Sequence, residues 1–353
     1  RSPALEFPTP YPGADVAMAD PQKVSDLGEL GLLERLFQFC PTDLVGDDAA
    51  VLDLPPNRKV VVTTDVLVDG VHFSDRTTSP EDIGWRAIAA NLSDLAAMGA
   101  IPEGVTVGLS LPGSTRLDWL ERVYQGMATC LEQFGGAVVG GDLCRSDTVS
   151  LAITALGSVD PTKILYRHTA APGQVILATG YHGLSRAGLE LLLNPEYQAG
   201  IDPAVGNRWI QAHQRPRPRL DVIEVLTSLC SDTAEASVAA MDTSDGLANA
   251  VQLICRASGV GAQLWRTHLP IDPDLVTWAG QDQALECCLY GGEDFELVLC
   301  LSEALATRLR GVLGPQAVIV GEIKAVPTVE LWAAPNSPSG RMEFSLKKGF
   351  QHF

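Results

Sequence analysis

Six short acidic motifs carry most of the residues in this sequence that could do chemistry. They are GDDAAV (residues 46–51), TTD (63–65), NLSD (91–94), GGD (140–142), DTSDG (242–246) and GGED (291–294). A single Asp beside Gly is a common turn former, because its side chain bonds to the nearby backbone. If the motifs converge on one cleft, however, their like charges raise one another's pKa values unless cations neutralise them. The set therefore predicts a site for divalent cations.

The residue types of these motifs indicate which cation and which reaction. Carboxylates and hydroxyls without sulfur or imidazole are hard oxygen ligands, which favour Mg²⁺ or Ca²⁺ over zinc or copper. Mg²⁺ is commonly shared between a few carboxylates and substrate phosphates, and the neighbouring glycines let backbone amides approach those phosphates. The sequence contains neither a P-loop nor the H-R-D and D-F-G motifs of protein kinases. We therefore predict a metal-rich, lysine-poor phosphoryl-transfer site.

The composition excludes several other classes of protein. With 43 Asp and Glu against 25 Lys and Arg, the 353-residue chain has a formal charge of −18. This charge argues against a nucleic-acid binder, which needs a basic face, although solubility alone could account for it. No apolar run approaches the ~18 residues needed to cross a bilayer. The eight cysteines are scattered without a CxxC pair, which favours buried thiols in a reducing compartment. We therefore expect a cytoplasmic globular enzyme.

Apolar periodicity and β-branched runs indicate the elements that position these motifs. In the first half we predict helices over 24–39, 81–98 and 117–134 and strands over 59–65, 105–111, 136–139 and 150–159. In the second half we predict strands over 175–179, 236–241, 295–301 and 318–323 and helices over 185–193 and 247–257, with a polar loop after 193. Most motifs then lie where a strand gives way to a Gly-containing turn.

The order of the elements predicts a two-domain α/β (α+β) fold. We expect a flexible tail over residues 1–23, an N-terminal domain over 24–160 with a mixed sheet and helices, and a C-terminal α/β domain over 161–353. An Arg-Pro repeat over 215–219 has two readings, a stiff lead-in to a helix or a basic patch that contacts phosphate.

In combination and in this order, the motifs resemble those of the thiamine-monophosphate kinases, in the superfamily that includes aminoimidazole ribonucleotide synthase. The matching segments are VGDDAAVL, TTDVLVDGVHF, NLSDLAAMGA, GGD, DTSDGLA, GGEDFEL and the closing KGFQHF, and they cover nearly everything after the tail. The resemblance implies that superfamily's two-domain fold and transfer of the ATP γ-phosphoryl group to thiamine monophosphate, giving thiamine diphosphate and ADP with several Mg²⁺ ions. It also implies a homodimer formed by the N-terminal domain, with strands around 60–66 and 105–111 at the interface.

The resemblance further implies roles for particular residues. The metal ligands would be Asp48, Thr63, Thr64, Asp65, Asp94, Asp142, Asp242 and Asp245, of which Asp65, Asp142 and Asp245 would be catalytic. The residues that meet ATP would be Gly141, Asp142, Arg167, Ser244 and Tyr124, and those that hold the thiamine end would be His72, Glu293 and Phe350. Glu293 could attract the cationic thiazolium or the aminopyrimidine, and Phe350 could stack on a flat cationic ring.

Taken singly, several of these residues have structural explanations. His72 alone would be a satisfied structural histidine, Phe350 a core residue and Arg167 a surface charge. The sequence also departs from the family pattern at Leu143, where Thr often follows GGD, and at Gln174, where Asp is common after Pro-Gly. We expect both changes to tune contacts rather than abolish activity, with Leu143 removing a hydroxyl from the GGD segment.

The implied acceptor is a phosphate, which is ionised at neutral pH and needs no general base. Since no nucleophilic His or Cys lies within a motif, we expect direct in-line transfer without a phosphoenzyme, with Mg²⁺ neutralising the repulsion between two polyanions. The alternatives are another ATP-dependent enzyme of the same superfamily, or a non-catalytic acidic protein that binds divalent ions. The reactive terminal Cys of two superfamily members has no counterpart in this sequence.

Overall fold

The computed structural model describes residues 22–45, 49–230, 237–315, 317–335, 337 and 342–343. Two residues of the predicted site, Asp48 and Phe350, lie outside these ranges. The predicted tail, residues 1–23, also lies outside them except for Gln22 and Lys23. Among the described residues, no helix is long and apolar enough to cross a membrane.

The first half of the chain forms a four-stranded sheet covered on one face by helices. Its elements are α1 (Val24–Leu36), β1 (Lys59–Val68), α2 (Pro80–Ala97), β2 (Ile101–Leu111), α3 (Leu117–Phe134), β3 (Val138–Arg145) and β4 (Ser150–Val159). The strands lie in the order β1-β4-β2-β3, and only β2 and β3 are parallel. Side chains of α2 and α3 bury the inner face of this sheet, where Val107 and Ile153 lie in the core. The predicted mixed sheet with helices is confirmed.

Helix α2 connects the two halves of the molecule. It begins where Ser79 Oγ accepts a hydrogen bond from the backbone N–H of Asp82 at 3.3 Å, with Pro80 at the first helical position. Its Ala-rich sequence allows close packing on all sides, and nearly every residue from Asp82 to Ala97 is buried. It packs on β1 and β4 and also on elements of the second half. Polar side chains on this helix are therefore held between two cores.

The second half forms a seven-stranded sheet with helices on both faces. Its elements are β5 (Val175–Ala178), α4 (Leu184–Leu193), α5 (Pro203–Gln214), α6 (Leu220–Cys230), β6 (Ala239–Asp242), α7 (Leu247–Ser258), β7 (Gly261–Trp265), α8 (Pro273–Ala279), α9 (Gln281–Tyr290), β8 (Leu297–Leu301), α10 (Glu303–Leu313), β9 (Val318–Lys324), β10 (Val329–Trp332) and β11 (Met342–Glu343). The strand order is β11-β10-β7-β9-β5-β8-β6, and only β10 and β7 are parallel. Helices α7 and α9 pack on one face, and α6 and α10 on the other.

Several predicted elements differ from those observed. Because β3 pairs with β2 as far as Arg145, the GGD motif lies within a strand and not in the turn after it. Helix α5 occupies the segment predicted as a polar loop, since Asp202 caps it and Trp209 buries its apolar side. The strand predicted to close the domain, β9, is followed by two short strands. Helix α1 is kinked at Gly28, which has a φ of +67°.

The Arg-Pro repeat before α6 pairs with acidic side chains of the protein. Arg215 forms an ion pair with Asp82, and Arg217 lies 3.6 Å from Asp221. Arg219 pairs with both Asp221 and Glu296. These contacts favour the interpretation of the repeat as a lead-in that locks α6 to its surroundings.

Candidate active site

Four predicted acidic residues meet where the two halves of the chain contact each other. Asp65 lies in β1, Asp94 on α2, Asp242 at the end of β6 and Asp245 in the turn that follows. Burial and the charges of Asp94 and Asp245 raise the pKa of Asp65 to about 6. Burial and the charges of Asp94 and Asp65 raise the pKa of Asp242 to about 7. These four residues, the acidic cluster, therefore repel one another as the sequence predicts.

Short polar side chains fix the orientation of these carboxylates. Thr63 Oγ1 donates to Asp94 Oδ2 at 2.5 Å. Asp242 accepts from Ser93 Oγ at 2.9 Å and from Ser244 Oγ at 3.0 Å. The bond from Ser93 on α2 to Asp242 on β6 joins the two halves of the chain. The Ser of the NLSD motif thus positions an Asp of the DTSDG motif.

Arg167 supplies positive charge beside the acidic cluster. It begins a single 3₁₀ turn, whose position is fixed by a hydrogen bond of 2.9 Å from Ser258 Oγ to the Arg167 carbonyl oxygen. Burial raises the pKa of Asp94, and the charges of Arg167 together with the Thr63 hydrogen bond act in the opposite direction. The guanidinium is thus close enough to the carboxylates to act on a phosphate bound beside them.

A second group of predicted residues lies on the outer face of the first sheet, the face that α2 and α3 do not cover. Thr64 Oγ1 lies 2.9 Å from Thr154 Oγ1 on this face. Asp142 is exposed and pairs with Gly108, one residue beyond the pair formed by Gly141 and buried Val107. Asp142 therefore points to the outer face, whereas Asp65 points toward α2.

Asp142 is also displaced across the sheet from the acidic cluster, whereas Thr64 is the neighbour of Asp65 in β1. β1 and β3 form opposite edges of the four-stranded sheet, so two intervening strands place Asp142 about 14 Å from the backbone of Asp65. Within one chain, the structure does not bring these two predicted metal ligands together.

The glycines of the GGD motif allow the chain to approach β2 closely. A Cβ atom on Gly141 would lie 2.3 Å from the carbonyl oxygen of Val107, so a side chain here would force the strands apart. Gly140 and Gly141 line a cavity of about 430 Å³ between the outer face and residues 49–54. The end of the GDDAAV motif and the residues just after it thus share one pocket with the GGD motif.

Of the residues predicted to hold thiamine, His72 lies at the end of β1, and Glu293 lies beside the DTSDG motif, where its N–H donates to the Ser244 carbonyl oxygen. His72 Nδ1 accepts a hydrogen bond of 3.0 Å from the backbone N–H of Val68 at the end of β1. Glu293 forms a 2.7 Å ion pair with Arg86, a residue of α2. The sequence predictions missed Arg86, although a charged residue within the apolar stretch from 83 to 92 was a signal that could have identified it.

Tyr124 lies in the core and not in a pocket. Only 5% of its surface is exposed, and its ring centroid is 5.9 Å from that of Phe39. Burial raises the pKa of its hydroxyl. The structure therefore leaves little of this ring for a nucleotide to stack on.

The two departures from the family pattern have structural roles. Leu143 is half-buried against the first core. Gln174 accepts a hydrogen bond of 2.9 Å from the Ala171 N–H and donates one of 2.7 Å to the Ser237 carbonyl. Gln174 thus stabilises the turn before β5 without an acidic side chain.

The family models described as "AIR synthase related protein", N-terminal and C-terminal domain, match residues 46–159 and 171–333 of the chain. The thiamine-monophosphate kinase of Synechococcus elongatus is 50% identical over 94% of this chain and 98% of its own length. Two solved structures have similar folds. The thiamine-monophosphate kinase from Stenotrophomonas maltophilia K279a has a TM-score of 0.74 at 32% identity, covering 86% of this chain and 95% of its own. AaThiL complexed with AMPPCP and TMP has a TM-score of 0.72 at 28% identity, covering 94% and 99%.

These matches extend across both sheets and include the motifs that form the acidic cluster. The family models account for more than half of the chain, and the similarity to the Synechococcus elongatus kinase spans 333 residues and so includes both halves. The chain belongs to the thiamine-monophosphate kinase family of AIR synthase related proteins.

Proposed function

We propose that this chain transfers the γ-phosphoryl group of ATP to thiamine monophosphate, giving thiamine diphosphate and ADP. The observation that carries the proposal is the 50% identity to a thiamine-monophosphate kinase over 94% of the chain. The relative AaThiL is complexed with AMPPCP and TMP, which supports a site for a nucleotide together with an acceptor. The alternatives within the superfamily lack a relative of comparable identity among these matches.

The donor atoms of the acidic cluster fit Mg²⁺, because they are hard carboxylate oxygens held beside the hydroxyl of Thr63. In the part of the chain that the structure describes, no group of three or more His, Cys, Asp or Glu side chains could hold a metal by itself. Mg²⁺ commonly completes its coordination with water and substrate phosphates. Bound there by the cluster with Asp48, Thr64 and Asp142 of the partner subunit, it would neutralise the repulsion between two phosphate-bearing substrates.

The chain's own residues would bind and align the two polyanions. Arg167 and Ser244 lie beside the acidic cluster and would contact the phosphates of ATP. Because β3 is at the opposite edge of the sheet from β1, backbone N–H groups would join them from Gly141 of the partner subunit. The acceptor phosphate of thiamine monophosphate is already ionised, so the site needs no general base. Asp65, Asp142 and Asp245 would act by holding charge and geometry during in-line transfer.

The outer face supports a homodimer that completes this site. Val60, Val62 and Val66 of β1 expose about half of their surfaces on this face, which is unusual for a strand of a stable monomer. A two-fold axis parallel to the strands would place β1 of one subunit over β3 of the other. Asp142 of the partner subunit would then approach Thr64, the neighbour of Asp65 in β1, from across the interface.

A cytoplasmic location remains part of this proposal. All eight cysteines lie within the described residues and none forms a disulfide with another. Burial raises the pKa values of several of these thiols, including Cys255 to about 12, so they are unreactive at neutral pH.

The proposal is tested by ADP release coupled to a spectroscopic readout with Mg²⁺ and ATP. Thiamine monophosphate is expected to stimulate release, whereas free thiamine and the ribonucleotide precursor of aminoimidazole ribonucleotide are not. Stimulation by the purine precursor alone would assign the chain to a different activity of the superfamily. Metal binding without turnover of ATP with any acceptor would instead favour a non-catalytic protein.

Direct transfer is tested separately from the overall reaction. The protein is incubated with γ-³²P-labelled ATP and Mg²⁺ in the absence of thiamine monophosphate, then denatured and separated. We expect no labelled protein, because no nucleophilic His or Cys lies in the motifs. A stoichiometric label that is chased into thiamine diphosphate would rule out direct transfer while leaving the net reaction intact.

A further inference from the structure

Arg86 is a buried cation whose carboxylate partner is on the other half of the chain. Its side chain is 3% exposed, and Nη2 donates to Glu293 Oε1 at 2.7 Å. Nη1 donates to the backbone carbonyl oxygen of His213 at the end of α5. The Arg86 Nε atom is buried and has no hydrogen-bond partner among the described residues. One guanidinium therefore ties α2 to both α5 and the GGED segment.

The backbone around Glu293 holds its side chain in one place. Glu293 has a φ of +55°, which is costly for a residue with a side chain, and it follows Gly292 with a φ of +69°. Its N–H donates to the Ser244 carbonyl oxygen at 2.6 Å. The next residue, Asp294, accepts from the N–H groups of Gly183 and Ser185 at 2.7 and 3.0 Å. These bonds on both sides stabilise the strained conformation.

The Glu293 carboxylate is only partly covered by the protein, and its two oxygens have different neighbours. Its side chain is 36% exposed, and Oε1 is occupied by Arg86. Oε2 lies 3.8 Å from His213 Nδ1. Burial and the charge of Arg86 lower the pKa of His213 to about 3, so this imidazole is neutral. Arg86 is therefore the cation that balances the Glu293 charge within the described contacts.

We propose that Arg86 is a positioning and specificity residue that neutralises Glu293 and orients Oε2 to accept an N–H bond from the aminopyrimidine of thiamine monophosphate, so that Glu293 does not select the substrate by the thiazolium charge. This inference rests on the proposed function and on the predicted contact of Glu293 with the thiamine end. It decides between the two roles that the sequence left open for this residue.

Attraction of Glu293 to the thiazolium cation and its hydrogen bond with the aminopyrimidine amine depend differently on the charge of Arg86. A carboxylate that already pairs with a buried guanidinium attracts a further cation weakly, because the guanidinium repels that cation over nearly the same distance. A hydrogen bond from a neutral amine to the remaining oxygen acts at short range and requires a fixed acceptor. Arg86 fixes the position of the acceptor, Glu293 Oε2, and balances the negative charge of the Glu293 carboxylate.

The inference is tested with three substrates and the full-length protein. The substrates are thiamine monophosphate, the oxythiamine analogue, in which a carbonyl replaces the amine, and the thiophene analogue, in which a neutral ring replaces the thiazolium. For the unmodified protein we expect kcat/KM to fall by about tenfold or more with the oxythiamine analogue, because Glu293 Oε2, covered by the bound substrate, loses its hydrogen-bond donor. With the thiophene analogue, kcat/KM is expected to fall by less than about threefold.

Substitution of Arg86 should change this ranking. In Arg86→Met, Glu293 has an uncompensated negative charge that attracts the thiazolium. The ratio of kcat/KM for thiamine monophosphate to kcat/KM for the thiophene analogue is therefore expected to rise by a further factor of about ten. Arg86→Lys restores the charge and should remove that extra discrimination, although its KM for thiamine monophosphate remains raised because the fork geometry is lost. The KM for ATP should stay unchanged in both variants. Arg122→Met, which breaks an exposed pair with Glu81, is the matched control and should leave every ratio unchanged.

The outcomes separate this inference from the proposed function. If kcat/KM of the unmodified protein falls at least tenfold with the thiophene analogue and changes little with the oxythiamine analogue, Glu293 recognises the thiazolium charge and the inference is wrong. The same holds if Arg86→Lys, folded as judged by its ATP KM, shows the same substrate ratios as Arg86→Met. If the unmodified protein releases no ADP with thiamine monophosphate, the proposed function fails and the inference fails with it.

Discussion

The acidic cluster and the ion-paired glutamates Glu293 and Glu296 differ in how their negative charge is balanced. Asp65 and Asp242 have no arginine or lysine among the contacts that shift their pKa values, which are raised to about 6 and 7. Glu293 and Glu296, in contrast, are paired with Arg86 and Arg219. The first group needs an external cation and the second does not.

This difference separates residues that do chemistry from residues that hold the chemistry in place. A cluster of like charges destabilises the folded protein without ligands, and the binding of metal and phosphates stabilises it again. A buried acid with its own guanidinium is satisfied at all times, and removing the guanidinium leaves an unpaired charge. Substitutions in the first group should therefore affect turnover. In the second group, loss of the guanidinium should affect stability at the largely buried Glu296 and substrate discrimination at the partly exposed Glu293.

The largest effect is expected for Asp65→Asn. Removing one carboxylate of the acidic cluster should lower kcat by about a thousandfold or more, because transition-state charge loses its electrostatic stabilisation. The melting temperature of the protein without metal should stay level or rise, since one source of repulsion is gone. Steady-state kinetics and calorimetry measure the two quantities. A substantial fall in melting temperature would show that Asp65 is structural, and Asp118→Asn on the exposed surface serves as the control for both.

A complementation experiment addresses the separation of Asp142 from Asp65. Asp65→Asn and Asp142→Asn are each expected to be inactive. If the partner subunit supplies Asp142, a mixed dimer contains one intact site, so exchange of subunits should restore about a quarter of normal activity. Co-expression with two affinity tags isolates the mixed dimer for assay. Activity that stays at background in purified mixed dimers would place both residues in a site formed by a single chain.

Arg219→Met should have the largest effect on stability. This side chain is 13% exposed and pairs with Glu296, whose pKa is raised by burial. Loss of the guanidinium leaves a buried carboxylate unpaired, which costs about 3–5 kcal/mol of unfolding free energy. Arg217→Met, two residues earlier and 61% exposed, is the matched control and should cost less than about 0.5 kcal/mol. Urea unfolding of the two variants measures the difference, and equal losses would contradict the role given to the buried pair.

The sequence allowed prediction of the features that depend on local pattern. Apolar periodicity located α2 and α3, and the order of acidic motifs identified the family and the acidic cluster. The position of Asp142 could not be read locally, because the face on which it lies depends on the register between β2 and β3. Arg86 was missed for a similar reason, since its partner Glu293 is 207 residues away along the chain. The face on which Asp142 lies and the partner of Arg86 both depend on pairing between distant parts of the chain, which the periodicity within one element does not predict.

The smallest predicted effect is a coupling between pH and Mg²⁺ in the stability of the protein. The raised pKa of Asp242, about 7, means that the folded state binds a proton more tightly than the unfolded chain does. The stability that this proton provides is present in full below pH ~4 and is lost as pH rises through about 7. In the metal-free protein, Asp242 should therefore cost about 2 kcal/mol of unfolding free energy between pH 5.5 and pH 8.

Comparison with Asp242→Asn isolates this contribution from that of other titrating groups. Without metal, the variant should be more stable than the unmodified protein at both pH values, and its advantage should be about 2 kcal/mol larger at pH 8, where Asp242 is charged in the folded state, than at pH 5.5. Millimolar Mg²⁺ should reverse that order at pH 8, because the cation binds the charged carboxylate and stabilises only the unmodified protein. Urea unfolding at both pH values, with and without Mg²⁺, measures all four differences. If Mg²⁺ stabilised both proteins equally at pH 8, Asp242 would not be a ligand, and the contrast between the acidic cluster and the paired acids would lose its physical basis.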